Sequence, residues 1–209
     1  MVVKRKKATL HLSLVVLAVV AVVAVALGIL WSGVLNARGS AKEYDLTLVI
    51  LPSVQYNSSL AQPSYFVLHD GILLSASNIT VPSRTLVKLT IIDYDSGGDA
   101  NLSTSFTRVQ GTVGGIEEVV NGTPGAMIPR DQLALNVTSL PASIIAHTFT
   151  VPQLGINIPV PSTSVVIAYL YFNQTGTYTW QCMVPCGAGN GYAGAMDTPG
   201  WMLGQITVI

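Results

Sequence analysis

From about residue 44 onward, apolar and polar positions alternate in short runs broken by Gly, Pro and Asn, and no run there sustains a helical period. Eight of these runs read as strands. They are YDLTLVIL (44–51), SYFVLHDG (64–71), LLSASNITVP (73–82), TLVKLTIIDYD (85–95), AHTFTVP (146–152), TSVVIAYLYF (163–172), GTYTWQC (176–182) and LGQITVI (203–209). An all-β domain over 44–209, built as a β-sandwich or Greek-key barrel, is the expected architecture. Between 101 and 141 the alternation loosens into a segment rich in Gly, Pro and Thr, too long for a hairpin loop, which reads as an insertion carrying minor structure. Glu117 and Glu118 within it read as a solvated edge.

The first 43 residues follow a different pattern. Residues 10–35 contain no Asp, Glu, Lys or Arg, and the run exceeds the roughly 20 apolar residues that span a bilayer. It is also longer than the apolar core of a cleaved secretory signal, so one retained N-terminal transmembrane helix is expected. Lys4, Arg5, Lys6 and Lys7 precede it, and every acidic residue follows position 42. The positive-inside rule then puts residues 1–9 in the cytoplasm and, beyond a linker at 36–43, the β domain outside the cell membrane, with membrane lipid as one partner.

Composition sharpens this picture in two respects. Ten basic and ten acidic residues balance in a chain of 209, and four of the basic ones belong to the N-terminal cluster, which leaves no footprint for nucleic acid. Six of the nine asparagines (Asn57, Asn78, Asn101, Asn121, Asn136 and Asn173) begin Asn-x-Ser/Thr sequons. That frequency fits an exterior, glycosylatable surface, although a Ser/Thr-rich β protein also collects sequons by chance.

Chemistry-bearing residues are few. Of three histidines, His11 lies in the apolar run, so no Ser-His-Asp or Cys-His-Asn hydrolytic set is supported and no catalytic residue is expected in this chain. DYDSGGD (Asp93, Asp95, Asp99) resembles a calcium loop, but a glycine stands in place of an oxygen ligand and no distal Glu follows, so it reads as an acidic turn. The remaining chemistry is C-terminal. Thiolate and imidazole are good copper ligands and thioether a weaker, potential-tuning one; His147, Cys182, Cys186 and Met202 all stand at expected strand ends that a sandwich can bring together. Met196 rivals Met202, and His69 could add a second imidazole if VLHDG reached the same end. The cysteines could instead form a disulfide, which an exterior location permits. Trp180 reads as core, and Trp201 as lying near an electron-entry surface.

HTFTVPQLGINIPVP, FNQTGTYTWQCMVPCGAGN and MLGQITVI together resemble the cupredoxin domain of heme–copper terminal oxidase subunit II, in its short single-span form. The likeness is strong over about 146–209, loose over 64–96 and absent across the insertion. It implies a cupredoxin-like fold and a binuclear Cu-A site whose motif is Cys-x-x-x-Cys-x-x-x-His-x-x-Met. His147 then matches the first imidazole, Cys182 and Cys186 the bridging thiolates, Val184 the carbonyl ligand and Met202 the thioether. Asn190 stands where the second histidine belongs, and eleven residues rather than two separate it from Met202. The implied role is electron relay to a heme-bearing catalytic subunit from quinol or a small redox protein, with the copper site altered or lost. A stand-alone, sulfocyanin-like copper carrier and a non-redox exterior sandwich closed by a disulfide are the alternatives.

Overall fold

The computed structural model describes residues 43–57, 60–97, 102–121, 134–187 and 194–209. Contacts divide the chain into Met1–Ala41 and Lys42–Ile209, and the described residues all belong to the second unit. The expected membrane span at 10–35, Asp99 and Asn190 lie outside the described residues. Among the described residues, no helix is long and apolar enough to cross a membrane.

Among the described residues, twelve strands form two sheets. They are β1 (Glu43–Asn57), β2 (Leu60–His69), β3 (Ile72–Ser75), β4 (Asn78–Val81), β5 (Leu86–Asp93), β6 (Glu117–Asn121), β7 (Leu135–Val137), β8 (Ile145–Val151), β9 (Ile156–Pro161), β10 (Ser164–Tyr171), β11 (Gly176–Gln181) and β12 (Leu203–Val208). One sheet runs β3-β2-β1-β5-β10-β6-β7 and the other β4-β12-β11-β8-β9. Pairing is antiparallel except between β1 and β5 and between β4 and β12. The all-β expectation is met, with helix limited to three short 3₁₀ turns among the described residues.

Alternation explains the layers. Along β5 and β10 every second side chain is buried, as in a sheet with one face against a core. Leu89, Ile91, Val166, Ala168 and Leu170 thus meet Phe149, Ile158, Trp180 and Ile206 of the other sheet in one apolar cluster. Each such fully buried large side chain contributes roughly 1.5–3 kcal/mol. At the centre, Trp180 stacks on Phe149 with ring centroids 5.5 Å apart, and Tyr65 meets Trp180 edge-on at 5.1 Å. The indole N–H of Trp180 donates to the carbonyl of Ala76, which fits its expected core role. Gly204 is required opposite it, because a Cβ there would come within 2.6 Å of both Trp180 Nε1 and the Ala76 carbonyl.

Three features depart from the sequence reading. The run expected as one strand over 73–82 is two strands in different sheets, because the chain changes sheets at Ala76–Ser77. β9 was not expected as a strand. Its six residues are all buried, so it shows no alternation, and Pro159 and Pro161 are tolerated because β9 is the edge of its sheet. The insertion supplies β6 and β7, which widen the larger sheet, and Glu117 is not a solvated edge residue: it is 1% exposed. Its strand presents it to the core face, as it does Val119 two residues on.

Candidate metal centre

Register places the candidate ligands at one end of the sandwich. Gln181 pairs with Leu203, so Cys182 leaves β11 where Met202 enters β12, and the amide of Cys182 donates to the carbonyl of Met202 at 2.8 Å. β8 lies beside β11 through the Gln181–Thr150 pair, which brings His147 to the same end. The β8–β9 register slips between Ile145 and His147, leaving one extra residue, Ala146. A bulge of this kind re-aims the following side chain.

Cys182, Cys186 and His147 converge there, all buried. The two sulfurs are 3.5 Å apart and not bonded to each other, so the disulfide alternative is not the arrangement found. His147 Nδ1 lies 2.9 Å from Cys186 Sγ and 3.9 Å from Cys182 Sγ. The Val184 carbonyl is 3.6 Å from Cys182 Sγ and accepts the amide of Cys186 at 2.7 Å, a tight turn that folds the second cysteine back over the first. Met202 is fully buried and Met196 partly so, packed against the core. His69 is at the other end: its strand closes there against Ile72, and its side chain is 72% exposed beside Asp70.

Several groups that sequence reasoning did not connect to the site hold it. The amide of Thr148 donates to Cys182 Sγ at 3.4 Å, and the Thr148 hydroxyl receives the amide of Met183 at 2.8 Å. The Tyr65 hydroxyl donates to the Thr148 carbonyl. Gln62 Oε1 accepts the amide of Ala195 at 2.7 Å, and it sits only 2.6 Å from where a Cβ on Gly187 would be. Gly187, with φ +64°, therefore meets both a backbone and a space requirement for glycine.

Behind the imidazole, Asp95 Oδ2 receives Nε2–H of His147 at 3.0 Å. The acidic turn is thus part of the site. Nothing local in DYDSGGD signals this, since the partner is 52 residues away.

The electrostatics follow from these contacts. Burial alone would lower the pKa of His147, but Asp95 and Cys182 outweigh it and raise it to about 10. Burial would raise the Cys182 thiol, yet hydrogen bonds from Cys186 and His147 hold it well below the usual thiol range, whereas Cys186, bonded to that anion and buried, is pushed up. The hydrogen bond from His147 keeps Asp95 below the ordinary carboxylate range. Both shifts act in the same sense, favouring a proton on His147 over one on Cys182.

This donor set fits a soft metal ion. One sulfur is favoured toward the anionic form, the second is within 3.5 Å, an imidazole nitrogen faces both, and the three ligand atoms lie within 4.8 Å of one another. Binding would displace the protons on Nδ1 and on the second thiol, so affinity rises with pH.

No protein-family model matches the sequence, and no curated protein matches it. Among solved structures, auracyanin B is similar at 14% identity, covering 81% of this chain and 91% of that one, with a TM-score of 0.34. Rusticyanin from Thiobacillus ferrooxidans matches at 14% identity, 81% and 79% coverage and a TM-score of 0.32. A multicopper oxidase from Pediococcus acidilactici matches at 10% identity and 0.33, with this chain spanning 27% of its length. Likeness at these values carries no weight for function; the site's own atoms carry the case.

Proposed function

We propose that the chain is a membrane-tethered, cupredoxin-like electron-relay protein that holds copper through His147, Cys182 and Cys186, and that it serves as the subunit II of a heme–copper terminal oxidase. The observation that carries the copper reading is the buried convergence of two unbonded thiols and one imidazole. Copper bound there would supply one-electron transfer between its cuprous and cupric states. The chain's own residues exclude water from the three donors, fix the imidazole from behind through Asp95, and hold the two sulfurs on a turn closed by Val184. The Val184 carbonyl lies 3.6 Å from Cys182 Sγ, and Met202 stands beside Cys182 in the strand register, its carbonyl bonded to the Cys182 amide.

The oxidase role and the membrane placement rest on the sequence: the apolar run at 10–35, the basic residues ahead of it and the order of the site residues. Among the described sequons, Asn78, Asn136 and Asn173 are exposed, in keeping with an exterior domain. In this reading the chain passes electrons from quinol or a small redox protein to hemes on another subunit and does not itself reduce oxygen.

Isolation of the full chain from native membranes in mild detergent tests the role. A heme-bearing, oxygen-reducing partner is expected to copurify. Recovery of a copper-loaded chain without heme would replace the subunit role with that of a stand-alone carrier.

A further inference from the structure

Asp93 and Asp95 flank Tyr94 at the end of β5, and neither behaves as a solvated acid. Asp93 is fully buried, and its Oδ1 accepts the amide of Asp95 at 2.8 Å. The amide of Gly97 donates to Asp95 Oδ1 at 2.9 Å, which leaves Oδ2 directed at Nε2–H of His147 at 3.0 Å. The carbonyl of Asp95 also receives the amide of Thr163 at 2.8 Å, so both its backbone and its side chain are fixed. His147 is 1% exposed and the Asp95 side chain 18%, so one carboxylate reaches from near the surface to the hidden face of the ring.

We propose, resting on the copper reading above, that Asp95 is a positioning residue for the metal site, with Asp93 setting its turn. By occupying Nε2–H, Asp95 directs Nδ1 at the two sulfurs; its negative charge also strengthens the imidazole as a donor and favours the more positive, oxidised state of a bound metal. The turn that looks like an incomplete calcium loop serves the neighbouring sheet's histidine instead.

Two measurements on Asp95→Asn and Asp95→Ala test this. The first needs no metal: solvent exchange of the His147 ring Nε2–H, followed by NMR in the full chain. Protection is expected in the natural protein and in Asp95→Asn, whose amide oxygen still accepts, and loss of protection in Asp95→Ala. The second is copper affinity and reduction potential. Affinity is expected to fall about 10–100-fold in Asp95→Ala, the usual effect of losing a partner behind a ligating histidine, and less in Asp95→Asn. The potential is expected to rise in both, because both lose the charge. Unchanged ring-proton exchange in Asp95→Ala, or copper affinity and potential that ignore both substitutions, would overturn the positioning role. If the natural chain binds no copper while the ring proton still depends on Asp95, the copper reading fails and the positioning of His147 stands.

Discussion

Two acidic segments read alike in the sequence and differ in the folded chain. The turn at 93–97 and the start of β6 at 117–118 both look like solvated acids, and both put a carboxylate inside. At the turn, Asp95 is paired with His147 and held by the amide of Gly97, and its carboxyl is lowered. In β6, neither oxygen of Glu117 has a partner among the described residues, and burial pushes its carboxyl up to about 9. A buried acid that finds a histidine belongs to a constellation, while one that finds nothing is kept neutral and burdens the fold.

The largest expected effect separates the two segments by what they act on. Cys182→Ser removes one of the two sulfurs that face His147, so copper and any thiolate-to-copper absorption should be lost altogether. Glu117→Gln should leave both intact. Optical spectra of copper-treated variants check this, and a band that survives in Cys182→Ser removes that sulfur from the site.

Next is a stability effect confined to β6. Below about pH 4.5 Glu117 is protonated in both folded and unfolded chains. As pH rises toward about 9 the unfolded chain ionises there first, so the folded state loses stability, on the order of 3 kcal/mol by pH 7. Urea midpoints should therefore fall from pH 5 to pH 7 in the natural protein, and Glu117→Gln should remove most of that fall. An equal fall in both proteins would mean that the Glu117 carboxyl finds a partner.

How much of this was legible can be read from particular residues. Alternation revealed β5 and β10, since one face of each meets the core and the other does not. It failed at β9, where both faces are covered and two prolines argue against a strand. The order of His147, Cys182 and Cys186 marked the site, because ligands at strand ends keep their sequence neighbours. Asp95 and Gln62 were hidden, because their partners, His147 and Ala195, are 52 and 133 residues away and only sheet register brings them together. Glu117 was hidden for the opposite reason: a burial without a partner leaves no matching residue to find.

A smaller effect is expected at Gln62→Ala. The amide of Ala195 would lose its buried acceptor, at roughly 1–3 kcal/mol, and copper should leave the site faster. Stopped-flow release to a chelator measures it; an unchanged rate would separate Gln62 from the site. The smallest effect should come from His69→Ala, at the far end of the sandwich, with stability within about 0.5 kcal/mol and copper binding unaltered.

The central claim is that Cys182, Cys186 and His147 hold copper. Metal analysis of the purified full chain, taken together with its optical spectrum before and after copper loading, addresses it most directly. Copper should be retained after dialysis, with a visible band that disappears in Cys182→Ser. A chain that retains no copper and whose two thiols are found joined as a disulfide would contradict it.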